Sequence, residues 1–298
     1  MGISKTTAYL LQELSRNGLF GGSLLQLGVQ RISPDAKAMV KSYSLEHGVK
    51  NSARAPSSKK QFWHNLGFEF VSSLDYSDFE GAELVWDLNV PLCDSFAERF
   101  DVVFDGGTME HVFNTFCVLE NVGRLLKVGG LVIHEVPCSN NVDHGFYSFS
   151  PTFFRDYYSK IGYEIVEIFL IVKSRHRAKV YQYFPREPNL EIPENWGKKT
   201  VNVWCVARKR SGSVQAEYPQ QTKYVNAWSE PDQASSVDSG FSRNLRILNR
   251  KIRTARFVFS KKSATFAMLD ETLRMVKRSE IPMLVKHRIN SKRNGDAV

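Results

Sequence analysis

The chain has few cysteines, and none of the four, Cys93, Cys117, Cys138 and Cys205, lies in a CxxC pair. That excludes a thiolate metal set and leads us to expect a reduced, cytoplasmic setting. No apolar run approaches the ~18 residues needed to span a bilayer. The opening MGISKTTAYLLQELSRNG has one early lysine, a brief apolar run and no small-residue cleavage site. It predicts a helix rather than a signal peptide. No internal repeat is present.

Basic charge is scarce over most of the chain and concentrated at its end. The net charge is +9, but residues 241–298 hold 15 Lys and Arg against 4 Asp and Glu, while the rest holds 25 against 27. The first 240 residues are therefore nearly neutral. That argues against a nucleic-acid groove across them.

An apolar fraction of 42% is enough for a core. Short apolar runs recur: SLLQLGV (23–29), FEFVSSLD (68–75), ELVWDLN (83–89), FDVVFDGG (100–107), LVIHEVP (131–137), YEIVEIFLIV (163–172) and VNVWCVA (201–207). Helical patterns separate many of them. This predicts a Rossmann-like, mostly parallel seven-stranded sheet with helices on both faces. Phe116, Leu119, Val122, Leu125 and Leu126 fall at helical spacing, and Gly129-Gly130 is expected to end that helix. Ser150-Pro151 predicts an N-cap and first helical position, with Gly162 as the stop.

Other stretches are poorly patterned. Residues 32–66 show no clear period, and SARAPSSKK (52–60) and FPREPNLEIPENWGKK (184–199) read as irregular. We expect a main domain over residues 1–228, a polar linker at 229–240 and a basic helical extension at 241–298. In the extension, Leu245, Leu248, Ile252, Ala255 and Phe259 form one apolar stripe. An anionic membrane surface, nucleic acid or an acidic protein are its candidate partners, although few aromatics argue against base stacking, and a solvated helix packed on its own domain or on a second subunit is the simpler reading.

In an open parallel sheet, ligands bind beyond the carboxyl ends of the strands, where strand order reverses. The expected strand ends carry Gly28, Asp75, Asp87 and Asp105-Gly106-Gly107. A carboxylate there can accept two ribose hydroxyls, a second acid can read an adenine amino group, and glycines let a ligand approach the backbone.

FDVVFDGGTMEHV followed by LENVGRLLKVGGLVIHEVP resembles the region around the fourth and fifth strands of class I S-adenosylmethionine-dependent methyltransferases. NNVDHGFYSFSPTFFRDYYSKIGYEI and the YPQQTKY-x3-W element (218–228) are similar to bacterial members associated with polysaccharide or natural-product pathways. The resemblance covers roughly residues 20–230. It implies S-adenosylmethionine as cofactor, held by Gln26, Gly28, Asp75, Asp87, Asp105, Gly106 and Gly107, and a small-molecule or saccharide acceptor. One departure stands out. The family's first loop usually reads acidic-x-G-x-G-x-G, whereas this chain has QLGVQRISPD (26–35), with Gln26 at the acidic position and Gly28 alone of the glycines.

Transfer to an oxygen acceptor needs a base, and histidine is the usual choice near neutral pH. His144, with Asp143 or Glu110 as orienter, is the first candidate. His111 is the second, and it could equally make a structural hydrogen bond at the start of its helix. Phe146 and Tyr147 could wall a pocket or simply fill core. An Asp143-His144 pair lacks a third ligand at metal spacing, so no metal is expected. The alternative to an enzyme is a non-catalytic nucleoside-binding or scaffold protein that works through its basic tail.

Overall fold

The computed structural model describes residues 2–49, 58–174, 177–183, 196–197, 199–211, 218–229 and 285–288. It divides into two compact units, Met1–Ile168 with Thr200–Pro219, and Phe169–Lys199 with Gln220–Val298.

The first unit opens with β1 (Gly2–Ile3) and α1 (Lys5–Arg16). Ser4 caps α1 by accepting from the Thr7 N–H at 3.2 Å, and Ala8, Leu10, Leu11 and Leu14 form its buried stripe. Next come β2 (Ser23–Leu27), β3 (Arg31–Ile32), α2 (Pro34–His47) and α3 (Ser58–His64). Then follow β4 (Phe70–Asp75), β5 (Leu84–Val85), β6 (Phe100–Asp105), α4 (Thr115–Leu125), β7 (Leu126–Ser139) and α5 (Pro151–Lys160). β8 (Glu164–Ser174) leads out of this unit, and β10 (Thr200–Arg208) returns to it.

Five strands of the first unit are parallel, in the order β5-β4-β2-β6-β7, and β10 pairs antiparallel with β7. The chain builds outward from β2 through β4 to β5, then crosses back to lay β6 on the other side of β2. The order therefore reverses between β2 and β6, and a crevice is expected there. Leu24, Leu25, Leu27, Val102, Val103, Phe104, Val132 and Ile133 are all essentially buried, as expected for strands covered on both faces.

In the second unit, the end of β8 pairs antiparallel with β9 (Arg177–Gln182). β9 pairs antiparallel with β11 (Val285–Arg288), and α6 (Thr222–Ser229) completes the unit. The sheet structure is thus mixed, and seven mostly parallel strands is corrected on two counts. The strands are more numerous, with β1 and β3 forming a separate parallel pair. The antiparallel pairings join β8 to β9 across a short return, and β7 to β10 and β9 to β11 between strands far apart in the chain.

Two other expectations change. Gly129-Gly130 does not end a helix: α4 stops at Leu125, and both glycines lie inside β7. A Cβ on Gly130 would sit 2.9 Å from the Asp101 carbonyl oxygen, so the glycine lets β7 lie close against β6. Residues 34–47 form a helix that the apolar pattern does not announce. The predicted helical extension at 241–298 lies outside the described residues, apart from β11. No helix among the described residues is long and apolar enough to cross a membrane.

Candidate active site

β6 ends in Asp105, which is fully buried. Its Oδ1 accepts from the N–H groups of Thr108 at 2.8 Å and Met109 at 3.3 Å, closing the Gly106-Gly107 turn. Gly107 has φ +98°, which favours glycine. The other oxygen lies 2.8 Å from His134 Nδ1, and His134 Nε2 lies 2.7 Å from the Tyr158 hydroxyl. Asp105 therefore faces inward and anchors the turn; it does not present its carboxylate to a ligand. His134 and Tyr158 were not singled out from the sequence. The signal was there, because aligning β6 with β7 puts Asp105 directly opposite His134.

The loops after β2, β4 and β6 are tied together. Gly28 donates its N–H to the Leu74 carbonyl at 2.7 Å, Val29 N–H donates to Asp75 Oδ2 at 3.3 Å, and Thr108 Oγ1 donates to the Leu27 carbonyl at 2.7 Å. Tyr76 N–H also donates to Asp75, at 2.7 Å. Asp75 is thus held by two backbone donors at a strand end and is only partly buried, with lone pairs to spare. Gln26 is buried within β2, in register with Ser73 and Phe104. Asp87 accepts from the backbone and side-chain nitrogens of Asn89, at 2.9 and 2.8 Å. Asn89 in turn accepts from Asn114, the N-cap of α4, at 3.0 Å.

The glycines do not simply open room for a ligand. A Cβ on Gly28 would meet Thr108 Oγ1 at 2.7 Å, and one on Gly106 would meet Gln30 Oε1 at 2.6 Å. Gln30, also unforeseen, is buried and donates to the Leu27 carbonyl at 2.8 Å. Among the described residues its Oε1 has no hydrogen-bond partner.

Just past this turn, Met109–His111 forms a short 3-10 helix. Glu110 is fully buried, and among the described residues neither carboxylate oxygen has a hydrogen-bond partner. Burial pushes its carboxyl up to about 8, and the Asp105 charge adds to the shift. The 144–146 loop folds over it: Phe146 N–H donates to the Glu110 carbonyl at 2.7 Å, and a Cβ on Gly145 would sit 2.7 Å from that same oxygen. This close approach brings His144 Nε2 to 3.6 Å from Glu110 Oε1 and leaves His111 Nε2 3.8 Å from it. The two rings meet edge-on with centroids 5.0 Å apart. Burial, and then the charge of His144, lowers the His111 pKa. Asp143 is exposed with φ +60°, and Glu110 rather than Asp143 is the carboxylate nearest His144. Exposed Phe113 and Phe146 pack edge-on beside the loop, and the Tyr147 hydroxyl donates to the Phe113 carbonyl at 2.9 Å.

The structure thus brings Glu110, His111 and His144 into one cluster, and ties Gly28, Asp75 and the Asp105-Gly106-Gly107 turn into another. Asp87 stands off with the Asn89 loop, and Gln26 lies inside the sheet.

No protein-family model matches the chain, and no curated protein matches it. Solved structures do. A putative methyltransferase from Bacillus halodurans is 11% identical, with 69% of this chain and 100% of that one covered, at a TM-score of 0.43. A 1,6-didemethyltoxoflavin-N1-methyltransferase from Burkholderia thailandensis, solved with bound S-adenosylhomocysteine, is 12% identical over 70% of this chain and 80% of that one, at 0.40. A possible histamine N-methyltransferase from Thermotoga maritima is 18% identical over 69% and 91%, at 0.35.

Proposed function

We propose that the chain is a class I methyltransferase that moves a methyl group from S-adenosylmethionine to a small-molecule or sugar-linked acceptor. One observation carries this reading: the Glu110–His111–His144 cluster lies immediately beyond the turn at the end of β6, beside the reversal of strand order. The residues present suit the cofactor. Asp75 keeps free lone pairs at the end of β4, where ribose hydroxyls can donate to it. Gln30 Oε1 is a buried acceptor without a donor among the described residues, suited to an amino group. Gly107, at φ +98°, lets the chain turn tightly at this strand end. When bound, the cofactor supplies a methyl carbon activated by an adjacent sulfonium.

The rest falls to the protein. Positioning contributes much of the catalysis in an in-line displacement. Phe113, Phe146 and Tyr147 offer an aromatic wall that suits a planar ring or the apolar face of a sugar. The cluster behind that wall holds the acceptor atom and takes charge of its proton. This arrangement, with the resemblance of NNVDHGFYSFSPTFFRDYYSKIGYEI to polysaccharide-associated members, favours a saccharide or natural-product acceptor.

The second reading, a non-catalytic nucleoside binder or scaffold, is favoured by Gln30 and Thr108, which fill the space that Gly106 and Gly28 leave open. Isothermal titration separates the two. Methyl transfer expects binding of both S-adenosylmethionine and S-adenosylhomocysteine; no heat from either at millimolar concentration overturns it.

A further inference from the structure

Glu110 poses a physical problem. A fully buried carboxyl group with neither oxygen partnered among the described residues is costly in either protonation state, and more so when charged. His144 Nε2, the ring nitrogen nearest it, also lacks a hydrogen-bond partner among the described residues. Three polar atoms without a hydrogen-bond partner among the described residues thus converge. The two histidine nitrogens lie 3.6 and 3.8 Å from Glu110 Oε1, too far for hydrogen bonds.

A cation can bridge these atoms. We propose that Glu110, His111 and His144 form a site for one divalent first-row transition ion of the zinc class. The ligand atoms of the three residues all lie within 4.8 Å of one another. A tetrahedral ion with bonds of about 2.0–2.1 Å sets its ligand atoms roughly 3.4 Å apart. Two of the three edges are already within a few tenths of an ångström of that value. Imidazole with one carboxylate selects this class of metal over magnesium or calcium, which prefer all-oxygen shells.

The backbone is shaped to hold the set. The third ligand is remote in sequence, which is why spacing alone did not reveal it. Gly145 lets the 144–146 loop touch the Glu110 carbonyl, and without that contact His144 would not face the carboxylate. The side chains of His111 and His144 are 47% and 37% exposed while His144 Nε2 and the Glu110 oxygens are buried, and three protein ligands leave the fourth position of a tetrahedral ion free. Three protein ligands and an open position describe a catalytic rather than a structural metal site.

On the methyl-transfer reading, on which only this step rests, the ion binds an acceptor hydroxyl in its open position. The proton leaves to water, as metal coordination promotes. The oxygen then bonds to the methyl carbon while the carbon–sulfur bond breaks, its electron pair returning to sulfur to leave a neutral thioether.

The test uses the full, tag-free chain, stripped with chelator and titrated with Co²⁺ and then Zn²⁺. The expected result is one Co²⁺ per chain with the visible absorption of tetrahedral coordination, displaced by Zn²⁺. His111→Ala and His144→Ala should each weaken uptake by more than the roughly 10–100-fold typical of losing an outer-shell partner. Both rings are part-exposed, so neither change opens the core. Glu110→Gln keeps the volume and should weaken uptake likewise. His47→Ala, which alters an exposed histidine on α2, should leave it unchanged. Absence of uptake at micromolar metal, or uptake that survives the His111→Ala and His144→Ala pair together, overturns the site. S-adenosylhomocysteine is titrated into the same samples. Cofactor binding without metal uptake sinks the metal site and leaves methyl transfer standing with histidine as the base. Metal uptake without cofactor binding does the reverse.

Discussion

Asp75 and Glu167 show how differently two carboxylates behave in this chain. Asp75 sits at a strand end, fixed by Val29 and Tyr76 N–H groups and open on its remaining side. If it accepts the ribose hydroxyls, Asp75→Ala should weaken S-adenosylhomocysteine binding by about 1.5–3 kcal/mol, the range for hydrogen bonds to a charged group. Calorimetric titration reads this directly; an unchanged affinity with a large fall in ligand-free melting temperature would make Asp75 structural instead. Glu167 is half-buried against Trp204, whose Nε1 donates to it at 2.8 Å, and desolvation pushes its carboxyl up to about 7. The unfolded chain loses that proton near ~4.3. Between the two values the folded state holds a proton that the unfolded state has released, so this group lowers stability as pH rises through that window. Glu167→Gln removes the titration. Its melting temperature should therefore fall less than that of the native chain between pH 5 and pH 7, and parallel curves by scanning calorimetry would rule the effect out. Part of the candidate site was legible at this scale. Carboxylates and glycines at strand ends follow from where parallel strands finish, so Asp75 and Gly28 could be picked out. The burial of Asp105 could not, because it depends on His134 and Tyr158 lying behind it.

Secondary-structure elements were read correctly where one signal dominated and missed where signals competed. The strands at β2, β4, β6 and β10 and the helix α5 follow from apolar runs and from Ser150-Pro151. α2 carries the same N-terminal chemistry: Ser33 accepts from the Ala36 N–H at 3.3 Å, Pro34 takes the first turn, and Gly48 ends the helix at φ +60°. Its apolar stripe is thin, with Ala36, Val40 and Tyr43 as its buried apolar side chains, so a search by periodicity passes over it while the caps announce it. Gly129-Gly130 misled in the opposite way, since a double glycine ends helices more often than it lies within a strand. The 144–146 loop gives a prediction at this scale. Gly145 has φ +76° and touches the Glu110 carbonyl, so Gly145→Ala meets both a backbone penalty of ~1–2 kcal/mol and a steric clash. The substitution should lower the melting temperature modestly and lift His144 away from Glu110. Methyl-transfer turnover, once an acceptor is found, should then fall as far as in His144→Ala. A variant that melts lower but turns over normally would mean that the loop contact serves folding alone.

At the scale of the whole molecule, the uneven charge sets the expectation. Residues 241–298 carry a net +11 and the first 240 a net −2. At physiological ionic strength the screening length is ~8 Å, so the tail's field does not reach far beyond it. Attraction to an anionic surface should therefore belong to the tail, and recognition of the nucleoside to the strand ends. The sheet at those ends is built from residues of the first unit, Met1–Ile168 with Thr200–Pro219. A chain shortened to residues 1–240 should lose adsorption to phosphatidylglycerol vesicles while keeping its affinity for S-adenosylhomocysteine. Vesicle sedimentation across a salt series reads the first quantity, and calorimetry the second. In the full chain, adsorption should weaken steeply as salt rises, because it depends on many lysines and arginines acting together. If the shortened chain still sediments with vesicles, the charge asymmetry is not what drives surface binding. If it folds but no longer binds the thioether, the basic segment contributes to the cofactor site, and the assignment of that site to the strand ends alone fails.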